Sequence, residues 1–168
     1  MKKFLTVLTI ATILVCGCGK KTNKKVEEQD TKNQISDDTK IIIDDQDVLK
    51  NMNIVNKNNI ISQLGVKTED VDSYFGAVSY AGGIETYFAV KPTSGKEEKL
   101  DKSYDLVILN KRTDLEIQKN ADGTYPEDVQ NKLNILDNAL KTEYNGYKIL
   151  IISADPNKAL EAIKPNLK

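Results

Sequence analysis

The sequence predicts an α+β domain: an antiparallel sheet of about four strands, arranged as two hairpins and covered by helices on one face. Three observations carry this. Strand-forming stretches flank glycine turns at Gly82-Gly83 and at Asn145-Gly146. Apolar residues at helical spacing fill the sequence between the two hairpins. A last amphipathic stretch opens on Asp155-Pro156, a capping residue followed by a proline suited to a first helical position.

In chain order, the apolar pattern begins at Ile41-Ile42-Ile43, a short strand or a first buried stretch. Asp44, Asp45 and Asp47 precede Val48, Leu49 and Met52, which suits a short helix with acids at its positive end. Asn58 to Gly65 has an Asn start, apolar Ile60, Ile61 and Leu64, and a Gly stop, so it reads as a helix of a turn or two. Thr68-Glu69-Asp70-Val71 starts a further short helix towards Tyr74. Ala77 to Tyr80 and Ile84 to Lys91 form the first hairpin. In it, Ile84, Thr86, Phe88 and Val90 make an apolar face, alternating with Glu85, Tyr87, Ala89 and Lys91, before Pro92 and Gly95 end it.

Lys96 to Lys119 is the longest helix, with a stripe of Leu100, Tyr104, Val107, Ile108 and Leu115. Ala121-Asp122-Gly123 is a turn. Pro126 then opens a helix with Glu127 and Asp128 behind it and Val129, Leu133 and Leu136 on its apolar side. Asn145-Gly146 is the favoured dipeptide of a two-residue type I′ turn. Pairing outward from it sets Tyr144 against Tyr147, Glu143 against Lys148 and Thr142 against Ile149, with opposite charges opposed. Tyr147 to Ser153 is nearly continuous apolar and belongs in the middle of the sheet, and the closing helix runs from Asp155 through Leu160 and Ile163 to Pro165.

Composition bounds the function. A length of 168 residues allows one modest domain plus targeting and linker segments, not two full domains. With 24 basic against 25 acidic residues, the chain lacks the basic excess of a nucleic-acid binder, so no nucleic-acid partner is expected. The absence of His removes the usual metal ligand and the general base of Ser-His and Cys-His catalysis.

The N-terminal residues read as an address. Met1-Lys2-Lys3 is a short basic start, and Phe4 to Val15 follows as twelve uncharged residues. That is shorter than the roughly 20 apolar residues needed to span a bilayer and fits the core of a secretory signal. Val15-Cys16-Gly17-Cys18-Gly19 comes next, and here Met1–Gly19 resembles a bacterial lipoprotein precursor with Cys18 at the lipobox cysteine. Val15 and Cys16 depart from its commonest residues. The resemblance implies lipid transfer to the Cys18 thiol and cleavage after Gly17. Two acyl chains, at about 0.8 kcal/mol per buried methylene, anchor a protein stably without a crossing helix.

Cleavage discards Cys16, so the remaining domain would carry no free thiol, disulfide or Cys metal site. Removing Lys2 and Lys3 leaves 22 basic against 25 acidic residues, a net charge of −3. From Gly19 to Lys40 the only large apolar residues are Val26 and Ile35, the composition of a disordered tether. Lys20, Lys21, Lys24 and Lys25 either touch anionic headgroups or simply keep that linker solvated. The expected organisation is therefore residues 1–17 signal, 18–40 lipidated Cys and tether, and 41–168 domain.

Within the domain, Leu64-Gly65-Val66 leads to Glu69-Asp70-Val71, then to Phe88-Ala89-Val90-Lys91, a long helix and Tyr125-Pro126-Glu127. Asn145-Gly146-Tyr147, Ile149 to Ser153 and Ala159-Leu160-Glu161-Ala162 close the series. On these residues the stretch from about Asn58 to Lys168 resembles the DUF4358 domain of bacterial lipoproteins, mostly from Firmicutes, with Glu85 in the place of the acid that precedes the family's strand lysine. The resemblance implies a fold and an address; the family has no assigned activity, so it implies no substrate.

Chemistry is sparse. Asp44, Asp45 and Asp47 offer carboxylate oxygens to a hard cation but lack the EF-hand spacing, and a helix-start cluster accounts for them. Asn120-Ala121-Asp122-Gly123 reads as a turn. Thr93-Ser94-Gly95-Lys96 lacks the first Gly and the trailing Ser/Thr of a phosphate loop. A Ser94–Lys91 pair has no supporting motif, and no two of the 25 acids can be singled out as a glycosidase pair. Tyr74, Tyr80, Tyr87, Tyr125, Tyr144 and Tyr147 fall on strands or element ends, as a shared binding surface or as packing.

The expectation is a membrane-anchored lipoprotein on the extracytoplasmic face of the cell membrane, a non-enzymatic binding or accessory module of the envelope. Its partners would be the membrane, through the lipid on Cys18, and an envelope protein or cell-wall component. The competing class is an envelope enzyme, a carboxylate-dependent hydrolase. No catalytic residue, cofactor site or metal ligand is assigned.

Overall fold

The computed structural model describes residues 42–43, 47–80 and 82–168, all within one unit that runs Ser36–Lys168. Cys18, the signal and the tether lie outside the described residues, as do Asp44 and Asp45. Five antiparallel strands form one sheet: β1 (Met52–Ile54), β2 (Val71–Ser79), β3 (Thr86–Pro92), β4 (Leu140–Tyr144) and β5 (Tyr147–Ile152). Their spatial order is β1-β2-β3-β5-β4. The helices are α1 (Lys57–Leu64), α2 (Glu97–Glu116), α3 (Glu127–Asp137) and α4 (Pro156–Ile163). The architecture is α+β, as the alternation of hairpins and helices predicts.

Local chemistry sets the element ends. The Asn56 side chain accepts from the Asn59 N–H and starts α1, and Gly65 ends it in the left-handed region at φ 60°. Asp155 caps α4 by accepting from the Lys158 N–H, with Pro156 at the first turn. Pro126 stands one residue earlier than expected, as the cap before α3 rather than inside it. At the second hairpin, Asn145 (φ 49°) and Gly146 (φ 80°) both take positive φ, the geometry of a type I′ turn, and the expected register holds at all three pairs.

Several expectations change. The sheet gains a fifth strand, because Met52–Ile54 pairs with Ala77–Ser79 instead of continuing a helix begun at the Asp cluster. Residues 47–51 form turns, with Asn51 at φ 65° redirecting the chain into β1. The helix expected from Thr68 lasts one 3-10 turn, Thr68–Asp70, after which Val71 enters β2. A bulge between Val71 and Ser73 interrupts the alternation there, which hides the strand from a period-two reading. Of the strand or buried stretch expected at residues 41–43, Ile41 lies outside the described residues, Ile43 is buried, and Ile42 is exposed, with no strand pairing at either.

Both faces of the sheet are covered, not one. Phe88, Val90, Leu150 and Ile152 pack with Leu100, Tyr104, Val107, Leu133 and Leu136 on the face beneath α1, α2 and α3. Tyr87, Ala89, Ile149 and Ile151 pack on the other face with Ile43, Leu160, Ile163 and Leu167. This double burial explains why β5 is continuously apolar and why Tyr87 and Ala89, placed on the polar side by alternation, are buried. Gly76 is required by close approach: any Cβ there would overlap Val55 and Ile60. Among the described residues no helix is long and apolar enough to cross a membrane.

Candidate functional site

An open cleft of about 330 Å³ lies at the end of the sheet where β3 begins and β5 ends, on the face that carries α4. The turn at 47–51, the start of β3 and the segment from Ser153 into α4 converge on it. Its floor is Tyr87 and Ser153, both about 5% exposed. The Tyr87 hydroxyl is hydrogen-bonded to Ser153, whose Oγ accepts from the Asp155 N–H at 3.1 Å. Burial pushes the Tyr87 phenol above its ordinary value, and the charges of Glu85 and Asp155 push it further, against the opposing effect of the Ser153 bond. The phenol is therefore neutral at physiological pH, a polar group held in a negative local field.

Asp47, Lys50, Asn51 and Lys158 complete the walls. Among the described residues no group of three acidic side chains is placed to hold a metal ion. Lys50 and Lys158 are exposed and take part in no ion pair among the described residues, while Glu85 is half-buried.

A second hollow, of about 370 Å³, lies beside Gly82, Gly83 and Ile84 and is walled by Lys111, Asp114, Gln118 and Lys132. Burial lowers the Lys111 pKa, countered by Asp114, and Lys132 pairs with Asp128 at 3.3 Å. Its cations are thus answered from within the chain, unlike those of the first cleft.

The residues singled out by sequence fall in different places. Asp47 reaches the first cleft, as does Glu85. Thr93 and Lys96 do local structural work: the Thr93 hydroxyl donates to the Glu69 carbonyl at 2.7 Å, and Lys96 pairs with Asp70 at 3.5 Å. Asp122 accepts from Thr124 and closes the turn at 120–124. Lys91 does not meet Ser94 in a hydrogen bond; it lies over the Tyr147 ring, 5.5 Å from its centroid, and faces Ser73 across β2 and β3. Ser73 and Tyr147 share a hydroxyl–hydroxyl bond of 2.7 Å, and Tyr147 also donates to the Lys168 carbonyl at 3.3 Å. These two bonds join β2 and β5 to Lys168.

The tyrosines form no common surface. Tyr74 and Tyr104 are in one core and Tyr87 and Tyr147 in the other, while the exposed Tyr80 and Tyr144 stand beside different hairpin turns. Sequence reasoning missed Tyr87, Ser153 and Lys158 as neighbours. The Asp155-Pro156 cap was the available signal, since it fixes a helix start at the end of the strand that abuts β3.

No protein-family model matches the chain, and neither a curated protein nor a solved structure shows significant similarity to it.

Proposed function

We propose that the chain is a lipoprotein of the bacterial envelope, anchored through Cys18 on the extracytoplasmic face of the membrane, whose DUF4358-like domain is a non-enzymatic binding module. The basic start, twelve-residue apolar run and Gly17-Cys18 pair support the address. The observation that carries the binding role is the cleft around Tyr87, where hydroxyls, carboxylates and lysines from separate segments converge on a space of ligand size.

Two measurements test this. Cells producing the chain should incorporate labelled palmitate into it, and Cys18→Ala should abolish the label and release the protein from the membrane fraction; unchanged labelling would sink the anchor. The full chain in detergent should melt higher with at least one of a panel of peptides, sugars, nucleotides and cell-wall fragments. A ligand at 100 times its Kd adds about 2.7 kcal/mol. Turnover of a panel compound would instead place the chain in the competing class, a hydrolase working through carboxylates.

A further inference from the structure

The cleft carries both signs of charge, and they are placed differently. Glu85 and Asp155 line the cleft around Tyr87 at the floor. Lys50 and Lys158 belong to the walls, where both side chains are exposed. Asp155 already uses Oδ1 to cap α4, accepting from the Lys158 N–H at 3.0 Å, and this leaves its second oxygen available. Glu85 is fixed by its backbone, since its carbonyl accepts from the Ser79 N–H at 2.9 Å, and no carboxylate bond to another described residue occupies it.

A simple anion would meet three carboxylates, and a simple cation would leave both lysines unanswered. Charge complementarity favours a ligand that carries both signs a few ångströms apart. We propose that the cleft binds a small zwitterion, an amino acid or dipeptide, with its ammonium held by Glu85, Asp155 and the Tyr87 hydroxyl and its carboxylate by Lys50 and Lys158. An ammonium offers three donors, matching two carboxylate oxygens and one hydroxyl. A cleft volume of about 330 Å³ sits at the small end of ligand sites, which run from about 300 to 1,000 Å³.

The inference rests on the binding role proposed above and names its ligand class. The probes are alanyl-alanine, N-acetyl-alanyl-alanine without the ammonium, and alanyl-alanine amide without the carboxylate, each titrated against the full chain in detergent. Each charge-assisted contact is worth about tenfold in affinity, so both blocked peptides should bind about tenfold or more weakly than alanyl-alanine. Glu85→Gln should weaken alanyl-alanine about tenfold and leave the acetylated peptide unchanged. The double change Lys50→Gln with Lys158→Gln should weaken alanyl-alanine and leave the amide unchanged. None of these side chains holds an ion pair among the described residues, so the variants should melt as the parent does.

Equal binding of the acetylated peptide, or indifference to Glu85→Gln, overturns the zwitterion. No binding of alanyl-alanine overturns it too. In that case, a shift with a sugar or nucleotide that Glu85→Gln abolishes keeps the cleft as a binding site, whereas silence across the whole panel removes the binding role as well.

Discussion

Polar ties fasten the first half of helix α2 to the sheet. Asp70, at the entry to β2, pairs with Lys96 and Lys99 at the start of the helix. Tyr104 donates to the Lys148 carbonyl of β5 at 2.8 Å, Asp101 pairs with Lys148 at 3.2 Å, and Asp105 pairs with Lys141 of β4. Helix α4, on the opposite face, is held chiefly by Leu160, Ile163 and Leu167, with polar ties gathered at its far end, where Asn145 donates to the Leu167 carbonyl at 2.8 Å. Its first turn is fixed through Asp155 and Ser153, and Ser153 reaches the sheet at Tyr87 of β3. The cleft opens there. One face of the sheet is thus tied by polar contacts at the start and through the first half of α2, and the other leaves one end open to solvent and ligand.

Deleting core volume tests this contrast with the largest effect. Leu100 of α2 is about 2% exposed, and Leu100→Ala should cost about 4 kcal/mol. Leu160 of α4 retains about 9% exposure, and Leu160→Ala should cost about 2 kcal/mol, because an incompletely closed face relaxes more easily around the lost volume. Urea unfolding of both variants measures the difference. Equal losses would mean that the two faces are closed alike.

The sequence made some of this legible and hid the rest for identifiable reasons. The β4–β5 hairpin was readable to the residue because its turn chemistry and the Glu143–Lys148 pair act over two to six residues. The stripe of α2 was readable because burial on one side of a helix imposes its own period. β1 was hidden because Met52–Ile54 is a strand only through pairing with Ala77–Ser79. The covering of the second face was hidden because Tyr87 and Ala89 look like an outward set when the hairpin is read alone. The cleft was the least legible feature. Asp47, Glu85 and Asp155 were visible as an acid cluster, a strand residue and a cap, but only the β3–β5 pairing and the turn into β1 bring them to one place.

A smaller effect tests how the open end is held. Asp155→Ala removes the side-chain acceptor of the Lys158 N–H and should cost about 1 kcal/mol, within the usual range for a lost N-cap. Because the polar ties of the first turn of α4 all pass through Asp155 and Ser153, hydrogen exchange should accelerate at the start of α4 and at Ser153 but not in α2. Uniform acceleration across both helices would show that α4 is coupled to the whole sheet, as α2 is.

The smallest effect concerns the fastened side and depends on pH. The Lys99 ammonium at 2.5 Å and the Lys67 N–H at 3.0 Å hold the Asp70 carboxyl down at about 2, against an ordinary value of 3.8. Between those two values the unfolded chain binds a proton at this position that the folded chain does not, so stability rises with pH there. The contribution is fully present above the unfolded value and is lost as pH falls through about 2. In Asp70→Asn that share of the acid dependence should vanish, flattening the plot of stability against pH between about 4 and 2, while α4 and the cleft keep their exchange pattern. The comparison needs low salt, because Lys96 and Lys99 are each more than 40% exposed and their attraction to Asp70 is screened by added ions. If Asp70→Asn left the acid slope unchanged, the ion pairs would not be what fastens the start of α2, and its hold on the sheet would rest on Tyr104 and the apolar stripe instead.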